Sequence, residues 1–284
     1  MSDGARFGRS DDELAQLPLA LADGLFRGRV AIVTGAGSGL GRATAHWLAR
    51  LGADVVLCGR NPAKLEAAAA SIVRFGGRVL VKPLTIRDPD AVAALLDAAW
   101  DELGRVDILV NSAGGQFAQA AIDFSPKGWA AVIDTNLNGT WYMMQAAARK
   151  WRDAGIPGSI VNIVAVIWRG MPGIAHTCAA RAGVIYGSKT VAVEWAPLGI
   201  RVNCVAPGII STEGMNVYSE EALTDMPSTN LMKRFGQVED VANAVCYLAS
   251  DAGRFITGEV LTIDGGNQLW GDQWTIAKPG YFKV

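Results

Sequence analysis

The sequence predicts a single α/β domain, doubly wound about a parallel sheet of about seven strands. Three observations carry that expectation. Seven short apolar runs recur between residues 29 and 264. They are apolar on both faces, as strands must be when helices cover both sides of a parallel sheet. Segments rich in Ala, Leu and Val at helical spacing alternate with them. A glycine-rich turn joins the first apolar run to the first helical segment. Strand–helix alternation of this kind gives parallel strands joined by right-handed crossovers, a Rossmann-type arrangement.

The expected strands, in order, are 29–35, 53–59, 78–84, 106–112, 158–164, 199–207 and 258–264. Each is a Val/Ile/Leu-rich run such as "RVAIVTG" or "VDILVNS". Helices are expected over 63–75, 89–103, 126–152, 176–196 and 238–249. Three have a written start signal: Asn61-Pro62, Asp88-Pro89 and Ser125-Pro126. In each pair a capping side chain precedes a proline at the first helical position, where a missing N–H costs nothing. No repeat, linker or low-complexity tract interrupts the alternation. The simplest division is an N-terminal extension (1–28), one domain (29–266) and a C-terminal tail (267–284).

Half of the 284 residues are hydrophobic, enough to bury a sizeable core. The net charge of −1 leaves no basic surplus to meet nucleic-acid phosphates. Cys58, Cys178, Cys204 and Cys246 are widely spaced and form no CxxC pair, so neither a metal site nor a disulfide is expected. The first residues carry acids and only a very short apolar run, unlike a signal peptide or a membrane span. A soluble cytoplasmic enzyme acting on a small molecule, with no nucleic-acid or membrane partner, is the expectation.

"TGAGSGLGRA" (34–43) follows the first strand and opens a helix. Gly35, Gly37, Gly39 and Gly41, with Ser38 and Leu40 between them, bring backbone N–H groups and a helix N-terminus close together. That combination suits a pyrophosphate. An NAD reader carries an acid at the C-terminal end of the second strand, on the ribose hydroxyls. Here the acid, Asp54, stands at the other end, and Arg60 takes its place. A guanidinium there suits the extra phosphate of NADP(H).

Four segments, "TGAGSGLG" (34–41), "NSAG" (111–114), "NLNG" (136–139) and "APG" (206–208), resemble in order and spacing the signature segments of the short-chain dehydrogenase/reductases. The resemblance covers about 28–266. It implies that Asn111, Ala113 and Gly114 line the adenosine side of the cofactor, with Thr85 and Ile86 beside the adenine. It implies that Pro207, Gly208, Ile210 and Thr212 hold the nicotinamide carboxamide. Asn136 matches the asparagine that organises an active-site water. A homotetramer is also implied.

The catalytic positions depart from the family pattern. The serine position falls on Ala165, the tyrosine position on Thr177 and the lysine position on Arg181. Tyr186 and Lys189 do not replace them, because their spacing is three rather than four. The segments "GGQF" (114–117), "KGW" (127–129), "HTCAARAGV" (176–184) and "FITG" (255–258) resemble the peroxisomal trans-2-enoyl-CoA reductases, with the 2,4-dienoyl-CoA reductases more distant. The acid of those enzymes would fall on Ile185, one residue before Tyr186. On a helix 177, 181 and 185 form one row, with 186 about 100° away.

The expected catalytic set is therefore Asn136, Thr177, Arg181 and Tyr186. The expected reaction is NADP(H)-dependent reduction of the C=C bond of a 2-enoyl thioester. Two alternatives stay open. One is an alcohol/carbonyl dehydrogenase using Tyr186 or His176 as its acid. The other is a dinucleotide-binding protein without turnover. Met215, Met226 and Met232 are candidate liners of an acyl pocket within the lid region 211–235. The aromatics Trp270, Trp274, Tyr281 and Phe282 suggest a tail that packs on a neighbour or over the substrate mouth.

Overall fold

A computed structural model describes residues 7–218 and 220–269 of the chain. The tail aromatics from Trp270 onward lie outside the described residues.

Seven parallel strands run in the order β3-β2-β1-β4-β5-β6-β7. They are β1 (Val30–Thr34), β2 (Asp54–Gly59), β3 (Val79–Pro83), β4 (Ile108–Asn111), β5 (Gly158–Ile163), β6 (Ile200–Pro207) and β7 (Val260–Ile263). Each falls inside its expected run. β1, β4 and β5 are buried along their whole length, which explains why their sequences show no apolar/polar alternation. The register is regular: Ile32 pairs with Val56 on one side and Leu109 on the other. Chain order reverses between β1 and β4, so a crevice opens beyond their carboxyl ends.

Helices cover both faces. On one lie α2 (Gly39–Arg50), α3 (Pro62–Ile72) and α9 (Val238–Ala249), packed into one apolar core with β1 and β2. On the other lie α4 (Pro89–Leu103), α6 (Gly139–Ala154) and α7 (Ala175–Trp195). The three proline-led starts form as expected. The Asn61 side chain accepts from Lys64 N at 3.1 Å, Asp88 from Asp90 N at 3.0 Å, and Ser125 from Gly128 N at 3.0 Å.

Two differences matter for function. The expected helix 126–152 is not continuous. α5 (Pro126–Ile133) passes through one π-helical turn, Asp134–Asn138, before α6 begins. Such a turn inserts one residue and re-aims the side chains on it, here Asn136. The N-terminal extension is also not bare chain. α1 (Asp11–Gln16) is capped by a reciprocal Ser10–Glu13 box and buries Leu14. Arg50 of α2 holds it by donating to the carbonyls of Leu14 and Leu17. Within 211–235 a short helix, α8 (Glu220–Asp225), forms.

Candidate active site

The crevice at the β1/β4 switch point is a cavity of about 1250 Å³. Its floor is built from backbone. Gly35 (φ 67°) turns the chain out of β1, and a Cβ there would stand 3.0 Å from the Ala113 backbone. The Thr34 hydroxyl accepts from the N–H groups of Ser112 and Ala113 at 3.0 and 2.9 Å, so the turns after β1 and β4 are locked together. A Cβ on Gly41 would lie 2.4 Å from the Gly35 carbonyl oxygen. Only glycine lets α2 start this close to β1.

Of the expected dinucleotide residues, Gly35, Gly37, Ser38, Gly39, Leu40, Arg60, Thr85, Ile86, Ala113, Gly114, Pro207, Gly208, Ile210 and Thr212 all line the cavity. Two do not. Gly41 faces the Gly35 carbonyl and acts by closeness alone. Asn111 is 2% exposed, and its amide donates to Asn162 Oδ1 at 2.8 Å. Asn162 donates in turn to the Ser188 hydroxyl on α7, so Asn111 belongs to a buried brace between β4, β5 and α7.

The far end of the cavity beyond β2 is cationic. Arg60 leaves β2 there and Lys64 stands one turn into α3. Arg87, after β3, also lines the wall and donates to the Ala131 carbonyl. Lys64 and Arg87 were not singled out in the sequence. A lysine three residues after an N-cap was the available signal. Asp54 pairs with Arg78 at 2.9 Å at the opposite end of the strand. Among the described residues the cavity wall holds one carboxylate, Glu213, which accepts from Gly39 N at 3.1 Å. A backbone cradle at a helix N-terminus, closed at one end by cations, is a donor set that fits a phosphorylated dinucleotide.

At the other end Arg181 enters from α7. It is 9% exposed and, among the described residues, has no ion-pair partner. Burial lowers its pKa to about 10, so it remains a cation at neutral pH. The Cys204 thiol nearby is pushed up to about 11, chiefly by burial, and stays neutral. Arg181 is thus an uncompensated charge, a costly arrangement in a protein interior unless a ligand meets it. Gly114 makes the room: a Cβ there would fall 2.3 Å from a terminal guanidinium nitrogen of Arg181. Asn136, on the π-turn, accepts from Gly115 N and donates to Gly115 O, both at 3.0 Å, and so fixes this strip of chain.

The remaining catalytic candidates are not brought together. Thr177 is 3% exposed and does not line the cavity. Its N–H bonds the Ile174 carbonyl, and Ile174 is the residue that meets the cavity at the start of α7. Tyr186 is 70% exposed, with the Lys189 ammonium 5.4 Å from its ring centroid. It stands outside the cavity because α7 keeps its regular phase: Arg181 and Ile185 point inward, and 186 is turned away. His176 is fully buried, stacked on Phe124 at 4.5 Å and met edge-on by Phe117. Burial lowers its pKa, which keeps it neutral. Ala165 lines the cavity at the serine position, so no hydroxyl stands there.

The lid region supplies the remaining wall. Met215 and Met226 line the cavity, whereas Met232 is 64% exposed. Tyr218 was missed in the sequence. Its hydroxyl accepts from Gln116 Nε2 at 3.2 Å and bridges the lid to the wall after β4. Among the described residues no helix is long and apolar enough to cross a membrane, and no His/Cys/Asp/Glu group could hold a metal ion.

Comparison with known proteins agrees with this architecture. A family model described as Enoyl-(Acyl carrier protein) reductase matches residues 35–268. A probable 2,4-dienoyl-CoA reductase of Bacillus subtilis (strain 168) is 38% identical over 246 residues, covering 85% of this chain and 97% of that protein. A 3-oxoacyl-[acyl-carrier-protein] reductase of Synechocystis is 38% identical over 242 residues, covering 84% and 96%. Among solved structures, the citronellol catabolism dehydrogenase AtuB of Pseudomonas aeruginosa PAO1 is 40% identical at a TM-score of 0.78, covering 87% of this chain and 98% of that one.

Proposed function

Because the chain belongs to the short-chain dehydrogenase/reductase family, whose members bind nicotinamide dinucleotides and act on small molecules, we propose that it is an NADP(H)-dependent reductase of the C=C bond of 2-enoyl thioesters. The observation that carries this reading is Arg181, an unpaired buried guanidinium facing the cavity where no family serine, tyrosine or lysine stands.

The cofactor would be held by the glycine cradle and the α2 N-terminus, with Arg60 and Lys64 at its extra phosphate. When bound it supplies hydride. Reducing an enoyl thioester builds negative charge on the thioester oxygen, and the proton goes to carbon. No acid has to touch an oxygen that becomes an alcohol. What the site needs is a fixed positive group near that oxygen, and Arg181 keeps its charge below about pH 10. Asn136 holds Gly115, and the bare Gly114 leaves the guanidinium its position. Met215 and Met226 offer an apolar, deformable wall to an acyl chain. An alcohol/carbonyl enzyme would need Tyr186 or His176 as its acid. Neither lines the cavity, which counts against that alternative.

A screen of NADPH consumption over crotonyl-CoA and longer enoyl-CoAs, ketones and alcohols tests the reading. Turnover of the enoyl thioesters is expected. Turnover of ketones with none of any enoyl-CoA would overturn it, and tight NADPH binding with no turnover would support the binding-protein alternative. We further infer a homotetramer. Tyr186 and Val193 (78% exposed) on the outer face of α7, and the fully exposed Phe255, support this as surfaces that another copy would cover. Light scattering on the eluting protein gives the copy number.

A further inference from the structure

The N-terminal arm, residues 7–10, does not lie on the main cores. Phe7 is 7% exposed and forms a separate apolar cluster with Met215 (8%) and Leu223 (5%), bordered by Ile209, Tyr218, Met226 and Phe235. Its ring meets Phe235 edge-on at 5.6 Å. Met215, Tyr218 and Met226 belong to both this cluster and the cavity wall. The lid is therefore a thin layer with substrate space on one side and Phe7 on the other. Its helix α8 has six residues, far too few to hold itself in water. Its shape must come from what it rests on.

The arm is itself held. Arg9 pairs with Glu239 at the start of α9 at 2.9 Å. Arg42 of α2 donates to the Arg9 carbonyl and pairs with Glu213 at the root of the lid. Glu213 also accepts from Gly39 N at 3.1 Å, in the dinucleotide cradle. Gly8 (φ 88°) donates to the Ser211 hydroxyl at 3.4 Å. A Cβ on Gly8 would stand 3.0 Å from Glu213 Cδ. Only a glycine can carry the arm over the lid root at this height.

We propose that the N-terminal arm is a positioning element for the substrate lid, with Phe7 as the wedge behind it and Gly8 as its fulcrum on the lid root. The proposal rests on the reading of 211–235 as the wall of an acyl site. Removing the wedge depopulates the lid pose that closes the site, and apparent substrate affinity falls with the fraction of competent molecules.

The experiment compares wild type, Phe7→Ala, Phe7→Leu and Gly8→Val. If the competent fraction drops to about a tenth, KM for an enoyl-CoA rises about tenfold in Phe7→Ala and Gly8→Val, while in Phe7→Ala kcat and the NADPH Kd stay within about twofold. Phe7→Leu restores most of the loss. Limited proteolysis of NADPH-bound protein is expected to cut within 211–235 faster in the first two variants. Unchanged KM and unchanged cleavage would overturn the proposal. So would a rise in KM accompanied in Phe7→Ala by a matching loss of NADPH affinity and a lower melting temperature, which marks general destabilisation. If no enoyl-CoA is turned over at all, the functional reading has failed, and lid cleavage alone decides for or against the arm.

Discussion

The two halves of the cavity are built from different materials. The dinucleotide half is mostly backbone: N–H groups at the start of α2, glycines that admit them, and the Thr34 hydroxyl clamping two turns together. The half we propose to be the reacting one is side chains: Arg181 from α7, Asn136 from the π-turn, and methionines and Tyr218 from 211–235. Backbone chemistry is the same whatever the residue type, so the cradle can be altered only through sterics. Side-chain chemistry changes with one substitution. A scaffold of this kind keeps its cofactor while its reaction is rebuilt, and Ala165 with Arg181 reads as such a rebuilding.

That contrast can be broken at either end. The largest effect is expected for Gly41→Ala, where the new methyl meets the Gly35 carbonyl oxygen at 2.4 Å. NADPH titration should show binding lost, and denaturant unfolding a loss of about 1–3 kcal/mol. Next comes Arg181→Lys. A lysine at this buried place has its pKa lowered by the same desolvation that brings Arg181 to about 10. Wild-type turnover should begin to fall about one unit below pH 10 and reach half its plateau at about pH 10. The lysine variant should lose turnover at lower pH, as the ammonium deprotonates, and a pH profile of kcat/KM reads the difference. Arg60→Ala should cost about tenfold in the preference for NADPH over NADH, roughly one charge-assisted contact. Competitive kinetics with the two cofactors measures it. The smallest effect is expected at Tyr186→Phe, which leaves kcat/KM within about twofold because an exposed phenol outside the cavity touches nothing that reacts.

How far the sequence could be read follows the same division. All seven strands and the proline-led helices were legible, because runs buried on both faces and cap–proline pairs are local signals. The cradle was legible because close backbone approach demands glycine in a fixed pattern. The break in helix 126–152 was not. "DTNLN" has no propensity that marks a π-turn, and the extra residue is set by where Asn136 must meet Gly115. The phase of α7 was half legible. Helical geometry put 177, 181 and 185 in one row, yet Thr177 is buried with its hydroxyl 3.3 Å from the His176 ring Nδ1 and does not line the cavity. Tyr218 and Gln116 stayed hidden because they meet only through the fold, 102 residues apart in sequence.

Arg181→Ala, assayed for NADPH binding and for turnover of an enoyl-CoA in the same preparation, tests the separation most directly. The account predicts an NADPH Kd within about twofold of wild type and a kcat lower by about 10²–10³, the loss typical of removing one preorganised charge-stabilising group. An Arg181→Ala enzyme that turns over enoyl-CoA at the wild-type rate, or that fails to bind NADPH, would contradict it.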